Sequence, residues 1–368
     1  MTKQVWMIER FSADKTSDVM SFTYSTGRRT QFDSWSPGGL VLTIKNESNQ
    51  ADGYNLNDKI VLTAVGSLWF QWFYVQEVLF NDLGGDGAGS TATVICTDLL
   101  GRLGRIQVFE QSIGSAKTLL QLQNAFGALL PAGTFFGGIT DGSSTAAADA
   151  SYSGTALNRL NLNMTTEQGW LSVVDQQILM FGREDLDTWT ASVILAREAE
   201  LPYQMGYSDI KRIALGPNYL NTCTATPPVA AAQNATNSAG VATYGTYGAE
   251  FSTVDNSQAQ AQSFAEWQVY SRDDPDELSF QISVSDTAND LAQLFVAFYY
   301  SEPLVTVSYK KPGSATPVST TQVYNGWSMS VTPSRTDVEI FTSPLTYTNF
   351  FTLDSNTFGV LDQSRLGW

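Results

Sequence analysis

The side chains best placed to do chemistry are two acidic clusters, Glu184, Asp185 and Asp187, and Asp273, Asp274, Asp276 and Glu277. Two carboxylates a short distance apart suffice for glycoside hydrolysis, one as acid and one as base or nucleophile. Both clusters are hydrophilic and sit among turn-forming residues, so a solvated turn is the favoured reading of each. A histidine could have sharpened either one, and the chain has none. That removes Ser-His-Asp and Cys-His nucleophiles, histidine-ligated zinc and the usual general base near neutral pH. Asp82 and Asp86 with the glycines between them could suggest calcium. Their spacing does not match a helix-loop-helix calcium loop and lacks its bidentate glutamate, so a hairpin loop is expected there. No GxxxxGK[ST] phosphate loop occurs, which argues against an ATPase motor. On this reading the protein is not an enzyme. No catalytic, cofactor-binding or metal-ligating residue is assigned, and no cofactor is expected.

The aromatic run Trp69, Phe70, Trp72, Phe73 and Tyr74 could stack sugars or bases. Apolar on both faces, it reads more simply as a buried strand or a subunit contact. Cys96 and Cys223 each lie in alternating apolar and polar surroundings with no CxxC spacing, which predicts two buried, reduced thiols on strands.

Charge narrows the partners further. Twenty basic residues stand against 36 acidic ones, a net charge of −16. Phosphate backbones are repelled by such a surface, and specific nucleic-acid binding is not expected. The short basic pairs Arg28-Arg29, Lys211-Arg212 and Lys310-Lys311 read as solvated turns or strand edges. An acidic wall could instead let DNA slide past without sticking. Charged residues make up only 15% of the chain. Such a surface is covered by small polar residues, as in subunits that bury much of their exterior against neighbours. Met1 to Phe11 lacks the continuous apolar stretch of a signal peptide. The strongest apolar run, Leu294 to Tyr300, is far shorter than the roughly 20 residues a membrane helix needs. A soluble protein made in a cytoplasm is expected.

The elements that must carry these residues are mostly strands. Phe22 to Ser25, Leu40 to Lys45, Lys59 to Thr63, Leu68 to Val78 and Thr91 to Thr97 are rich in β-branched and aromatic residues, with loops expected at Asp33 to Gly39 and Gly84 to Ser90. Helical spacing follows at Asp98 to Leu103, and again over Ser115 to Leu130 with Ser115 as N-cap and Pro131 as stop. Gly138 to Gly154, full of small residues, is expected to be a loop or flexible insertion. A helix from Thr155 to Gln168 then feeds a hairpin, Trp170 to Val174 and Gln177 to Phe181, turning on Asp175 and Gln176. Tyr219 to Thr226 reads as a strand, Pro227 to Gly240 as a surface loop, and Gln258 to Tyr270 as a helix offering Phe264, Trp267 and Val269 to a core. Strands close the series at Leu278 to Val284, Leu304 to Lys310, Val323 to Val331 and Asp337 to Phe341. At 368 residues the chain is long enough for two or three domains.

Several segments, in this order, resemble the minor tail and tail-hub proteins of long-tailed (siphovirus-type) bacteriophages, especially those infecting actinobacteria. Tyr24 to Asn46 resembles their Gly-Arg turn, short spacer, glycine turn and strand ending in Asn. Val75 to Val78 followed by Ala92 to Gly104 resembles their closing strand and Asp-Leu helix. Thr155 to Glu184 resembles their helix, Glu-Gln-Gly turn and Val-Asp hairpin. Tyr207 to Arg212 resembles the strand that opens a second barrel. Tyr244-Gly245 and Asn256 to Trp267 resemble the next turn and helix, and Thr352 to Trp368 the terminus. The pattern departs after Asn46, where the next segment is abbreviated, and before Tyr152, where there is an insertion.

The resemblance implies an α+β, predominantly β fold: a β-barrel domain with a trailing helix over residues 1–110, an α+β domain over 111–200, and a second β-barrel domain with an inserted helix and C-terminal extension over 201–368. It implies a structural virion protein in the baseplate at the tail tip. The subunit would self-associate into a ring, a trimer favoured, around the DNA channel. Its partners would be distal tail, tape measure and tip or fibre proteins. The rival readings are a receptor-recognising, carbohydrate-binding tail-tip protein, a distal tail ring protein, and a tip glycan hydrolase working through Glu184 and Asp187.

Overall fold

A computed structural model describes residues 5–67, 69–83, 88–138, 141–142, 144–182, 191, 193–196, 204–214, 219–272, 278–286, 291, 294–295 and 304–345. From the N-terminus run β1 (Val5–Arg10), the two-residue β2 (Ala13–Asp14), β3 (Val19–Gly27), β4 (Ser36–Lys45), β5 (Lys59–Val65), β6 (Phe70–Asn81) and β7 (Thr91–Thr97). Helices and short strands then alternate: α1 (Leu99–Arg105), β8 (Gln107–Ile113), β9 (Ala116–Lys117), α2 (Thr118–Phe126), β10 (Phe135–Gly138), β11 (Thr145–Ala146), β12 (Asp149–Thr155), α3 (Ala156–Glu167), β13 (Trp170–Val174) and β14 (Gln177–Phe181). Next come β15 (Val193–Ala196), β16 (Gln204–Gly206), β17 (Asp209–Ala214), β18 (Thr222–Thr226), β19 (Gln233–Thr236), α4 (Ser238–Tyr244), β20 (Gly248–Ser252) and α5 (Gln258–Tyr270). The last described strands are β21 (Leu278–Ser285), β22 (Leu304–Lys310), β23 (Pro317–Thr332) and β24 (Arg335–Pro344). The fold is α+β and predominantly β.

Alternation explains why the early strands form one curved sheet. Leu40, Leu42 and Ile44 of β4, Ile60, Leu62 and Ala64 of β5, and Ala92, Val94 and Cys96 of β7 all point to the same buried side, one residue in two. β3, β4, β7, β6, β5 and β1 follow one another in antiparallel register. Inside, Trp6, Phe22, Tyr24, Trp69, Phe73, Phe295 and Trp327 meet mostly edge to face, with centroids from 4.7 Å (Tyr24 to Trp327) to 6.1 Å (Trp6 to Trp69). Each such pair adds about 0.5–1.5 kcal/mol beyond the area it buries.

β23 joins this half to the other. Its first half, Pro317 to Val323, pairs with β22, and its second half, Gly326 to Val331, pairs with β3. β24 lines its opposite edge from Gln322 to Thr332. The change of neighbour falls at a bulge between Tyr324 and Gly326, which leaves Asn325 as the extra residue. There Gly27 faces Gly326 across the ladder, and a Cβ on Gly27, which holds φ +80°, would collide with the Asn325 carbonyl oxygen. In the C-terminal half, β22 pairs with β15 and β15 with β16; only Tyr207 and Ser208 separate β16 from β17, which pairs with β21, β21 with β24, and β24 with β23. The pairing path thus runs from β16 through β15, β22, β23, β24 and β21 to β17, and its two ends are joined by the chain itself, not by a ladder. In the N-terminal half β1 reaches β24 through a side-chain contact, Trp6 Nε1 donating to Thr336 Oγ1 at 3.2 Å.

Two further layers pack on this sheet. Helices α1, α2 and α3 sit with the β13–β14 hairpin, whose Asp175 takes a left-handed conformation at its turn and bridges β6 at Gln71. Residues 219–272 form a small unit of their own, with β18, β19 and β20 against α5 around Leu220, Cys223, Phe264 and Val269.

Four local expectations are corrected. β4 begins at Ser36, inside the expected Asp33 to Gly39 loop. α2 begins at Thr118, because the Ser115 hydroxyl donates to the Ala146 carbonyl at 2.8 Å and is spent outside the helix. The stretch Gly138 to Gly154 contains β11 and most of β12, the latter pairing with β8 through two register shifts. Pro227 to Gly240 contains β19 and the start of α4, capped by the Asn237 side chain accepting from Gly240 N at 3.0 Å.

Candidate functional site

Glu184, Asp185 and Asp187 lie outside the described residues, as do Asp273, Asp274, Asp276, Glu277 and Asp86. Asp82 is exposed at the end of β6. Among the described residues no group of three or more metal-ligating side chains occurs, and no helix is long and apolar enough to cross a membrane. The aromatic run divides by face. Trp69, Phe73 and Tyr74 are buried, so they cannot stack a sugar, whereas Phe70 and Trp72 are half-exposed. The Lys59 ammonium covers Trp72 at 3.7 Å from the ring centroid. Cys96 and Cys223 are both free and buried on strands, as expected, and burial pushes both thiols up, Cys223 to about 11.

Asp98 is the most perturbed carboxyl described. It caps α1 by accepting from Gly101 N at 3.1 Å, and it is wholly buried. Burial raises it to about 7 against the pull of the surrounding amide donors. Gly38 passes so close that a Cβ there would lie 2.6 Å from Asp98 Oδ2. Its oxygens face backbone inside the fold, which makes it a cap and a pH-sensitive point of stability.

A cavity with charged and amide side chains in its wall lies where the loop after β3 meets the C-terminal end of α3 and the inner face of α5. Arg28, Gln31, Phe32, Trp267, Gln268 and Arg272 contribute to its wall, and it holds about 50 Å³. Local structure fixes each piece. Gly27 turns the chain out of β3, and Arg28 N then donates to the Asn325 carbonyl at 3.0 Å. Gln31 N is held by Ser343 Oγ at 3.2 Å. α5, started by the Ser257 cap on Gln260 N, presents Trp267 and Gln268, and Arg272 follows one turn beyond. The Arg28 guanidinium stacks on Trp35 at 4.2 Å, and that of Arg272 on Phe32 at 3.7 Å. Burial pulls both guanidinium groups down, and the charge of Asp33 offsets this in part.

Among the described residues, four buried donor atoms around this cavity have no hydrogen-bond partner: Arg28 Nε, Gln31 Nε2, Trp267 Nε1 and Arg272 Nε. One acceptor, Gln268 Oε1, is likewise unmatched. Asp33 stands exposed at the rim and spends Oδ2 on Thr30 N at 2.8 Å. The sequence does not reveal this constellation, and Arg28 reads there as part of a solvated turn or strand edge. Its members are scattered from residue 28 to residue 272 with no local motif, and the Gly27-Arg28 turn was the one available signal.

No protein-family model and no curated protein sequence matches the chain. Solved structures do. The tail protein from Neisseria meningitidis MC58 aligns over 93% of this chain and 97% of its own, with TM-score 0.66 and 10% identity. The 43 kDa tail protein of prophage MuSo2 from Shewanella oneidensis aligns over 93% of this chain and 98% of its own, with TM-score 0.61 and 11% identity. The E. coli c3393 protein, described as a type VI secretion component similar in structure to the T4 tail proteins gp27 and gp5, aligns over 92% of this chain and 77% of its own, with TM-score 0.54 and 7% identity. What is shared at such identities is the fold.

Proposed function

We propose that the chain is a structural subunit of a bacteriophage tail, works without substrate turnover, and assembles into a ring, a trimer, at the distal end of the tail around the DNA channel. The observation that carries this reading is the likeness of fold over nearly the whole length of both chains to two tail proteins. A shared single module would have left large parts of each chain unmatched. The segments that resemble siphovirus tail hubs agree with it. Exposed apolar side chains supply candidate contacts: Leu79, Phe80 and Leu83 on the β6–β7 hairpin, Phe109 on β8, and Val229, Tyr244 and Tyr247 on the small unit. A net charge of −16 suits a channel wall that phosphates slide past.

Native mass spectrometry of the purified full chain, with cryo-electron microscopy of the particle, tests the proposal. The expected results are a closed oligomer of three copies and density at the tail tip. A strict monomer at high concentration, or absence from the particle, overturns it.

A further inference from the structure

We propose that the cavity between the β3 loop and α5 is a carboxylate-binding site. The inference stands on the geometry of the single chain and does not depend on the tail reading.

Buried donors are satisfied in native proteins, and each one left unpaired costs about 1–3 kcal/mol. Four of them on residues that line one cavity, two belonging to guanidinium groups, describe the chemistry of an occupant: compact, rich in acceptors and negatively charged. Water could satisfy the amide and indole donors in a polar space of about 50 Å³. It would not supply the charge. Arg28 and Arg272 are partly withdrawn from solvent on aromatic faces, and among the described residues neither forms an ion pair with a carboxylate. Among the described residues Asp33 is the one acidic group on the wall, it is turned to Thr30 N, and the described wall keeps one positive charge in excess. A planar carboxylate matches guanidinium Nε donors in shape as well as charge. The unmatched Gln268 Oε1 repels a second anionic oxygen, so it disfavours a bulkier, fully charged phosphate in the same space.

Two sources provide that group, a small free carboxylate or an Asp or Glu side chain from a second copy of this chain, which carries 36 acidic residues. The test uses the full chain with sodium citrate and sodium acetate as probes and sodium chloride at equal ionic strength as control, read by thermal unfolding and by sedimentation. If the natural occupant is free, both carboxylates raise Tm above the chloride control at unchanged mass. If it is a neighbour's side chain, the same salts compete and lower the mass of the assembly. Arg272→Met, which keeps an unbranched apolar side chain and removes the guanidinium, should weaken either response at least tenfold in half-maximal concentration. Trp267→Phe keeps the ring, removes one donor, and serves should Arg272→Met not fold; a several-fold weakening is expected. Carboxylates indistinguishable from chloride, or responses unchanged in both variants, overturn the proposal and leave a water-filled cavity.

Discussion

The aromatic interior of the N-terminal half and the core of residues 219–272 are built on opposite principles. The first brings together Trp6, Trp69, Phe295 and Trp327, drawn from distant segments of the chain. The second is nearly local and small, with Leu220, Cys223, Ala225, Ala261, Phe264, Ala265 and Val269. The long-range core needs most of the sheet in place before any of it is rewarded, so it is cooperative with the whole fold. The local one can open by itself. Since that unit supplies Trp267, Gln268 and Arg272 to the polar cavity, the cavity is hinged on the weaker of the two regions.

The largest effect expected from breaking this contrast is on the long-range core. Trp69→Ala removes a side chain that touches Trp6, Tyr24, Phe295 and Trp327, and should cost about 3–5 kcal/mol of global stability. Chemical denaturation should show a single transition moved to lower denaturant. A loss below about 1 kcal/mol would mean that the rings do not form one packed cluster. Phe264→Ala is the matched cut in the small unit, at about 3 kcal/mol. Here hydrogen exchange should speed up over residues 219–272 and stay unchanged in β3, β4 and β7. Uniform acceleration across the chain would show that the unit is not separable.

A third effect distinguishes polar burial from apolar burial. Asp98 is held near 7 in the folded chain by burial, against an ordinary 3.8, so between those values the native state binds more protons than the unfolded one. Stability from this group is therefore fully present at acid pH and is lost as pH rises towards about 7, by a few kcal/mol at most. Asp98→Ala gives up the α1 cap at a cost of about 1 kcal/mol. It should also abolish that slope, so the gap between wild type and variant narrows from pH 4 to pH 8. A constant gap would place Asp98 in contact with solvent.

The local core and most of the sheet were legible because burial leaves periodicity. Leu40, Leu42 and Ile44 alternate, Phe264 and Trp267 lie three apart on one buried helix face, and the Asp175 turn separates two apolar runs. What was not legible lacks that signal. β12 is mostly half-exposed and pairs with β8 through two irregular steps, so its residues show no period of two. The capping oxygen at Ser115 looked available because nothing local shows that Ala146 will claim it. The exchange of neighbours along β23, and the cavity assembled from Arg28, Gln31, Trp267 and Arg272, depend on contacts between distant segments. A basic pair beside a glycine reads as a solvated turn until the ring of Trp35 is placed beneath it.

The smallest expected effect on the folded subunit comes from within a single strand, and it carries the assembly reading. Phe73 and Phe80 are the same residue type on β6, one wholly buried and the other 49% exposed beyond the edge of the core. Leu79 and Leu83 lie beside it, 48% and 50% exposed. Phe80→Ser should change the stability of the isolated chain by about 1 kcal/mol, far less than the same change at Phe73, since half of the Phe80 ring is already in water. In a ring subunit the same change removes an anchor from an interface and should raise the concentration at which sedimentation detects oligomers by tenfold or more. If Phe80→Ser destabilises the chain as severely as Phe73→Ser, the hairpin belongs to the core. If it leaves both stability and association untouched, the contact surface lies elsewhere, and Phe109, 78% exposed on β8, is the next residue to change.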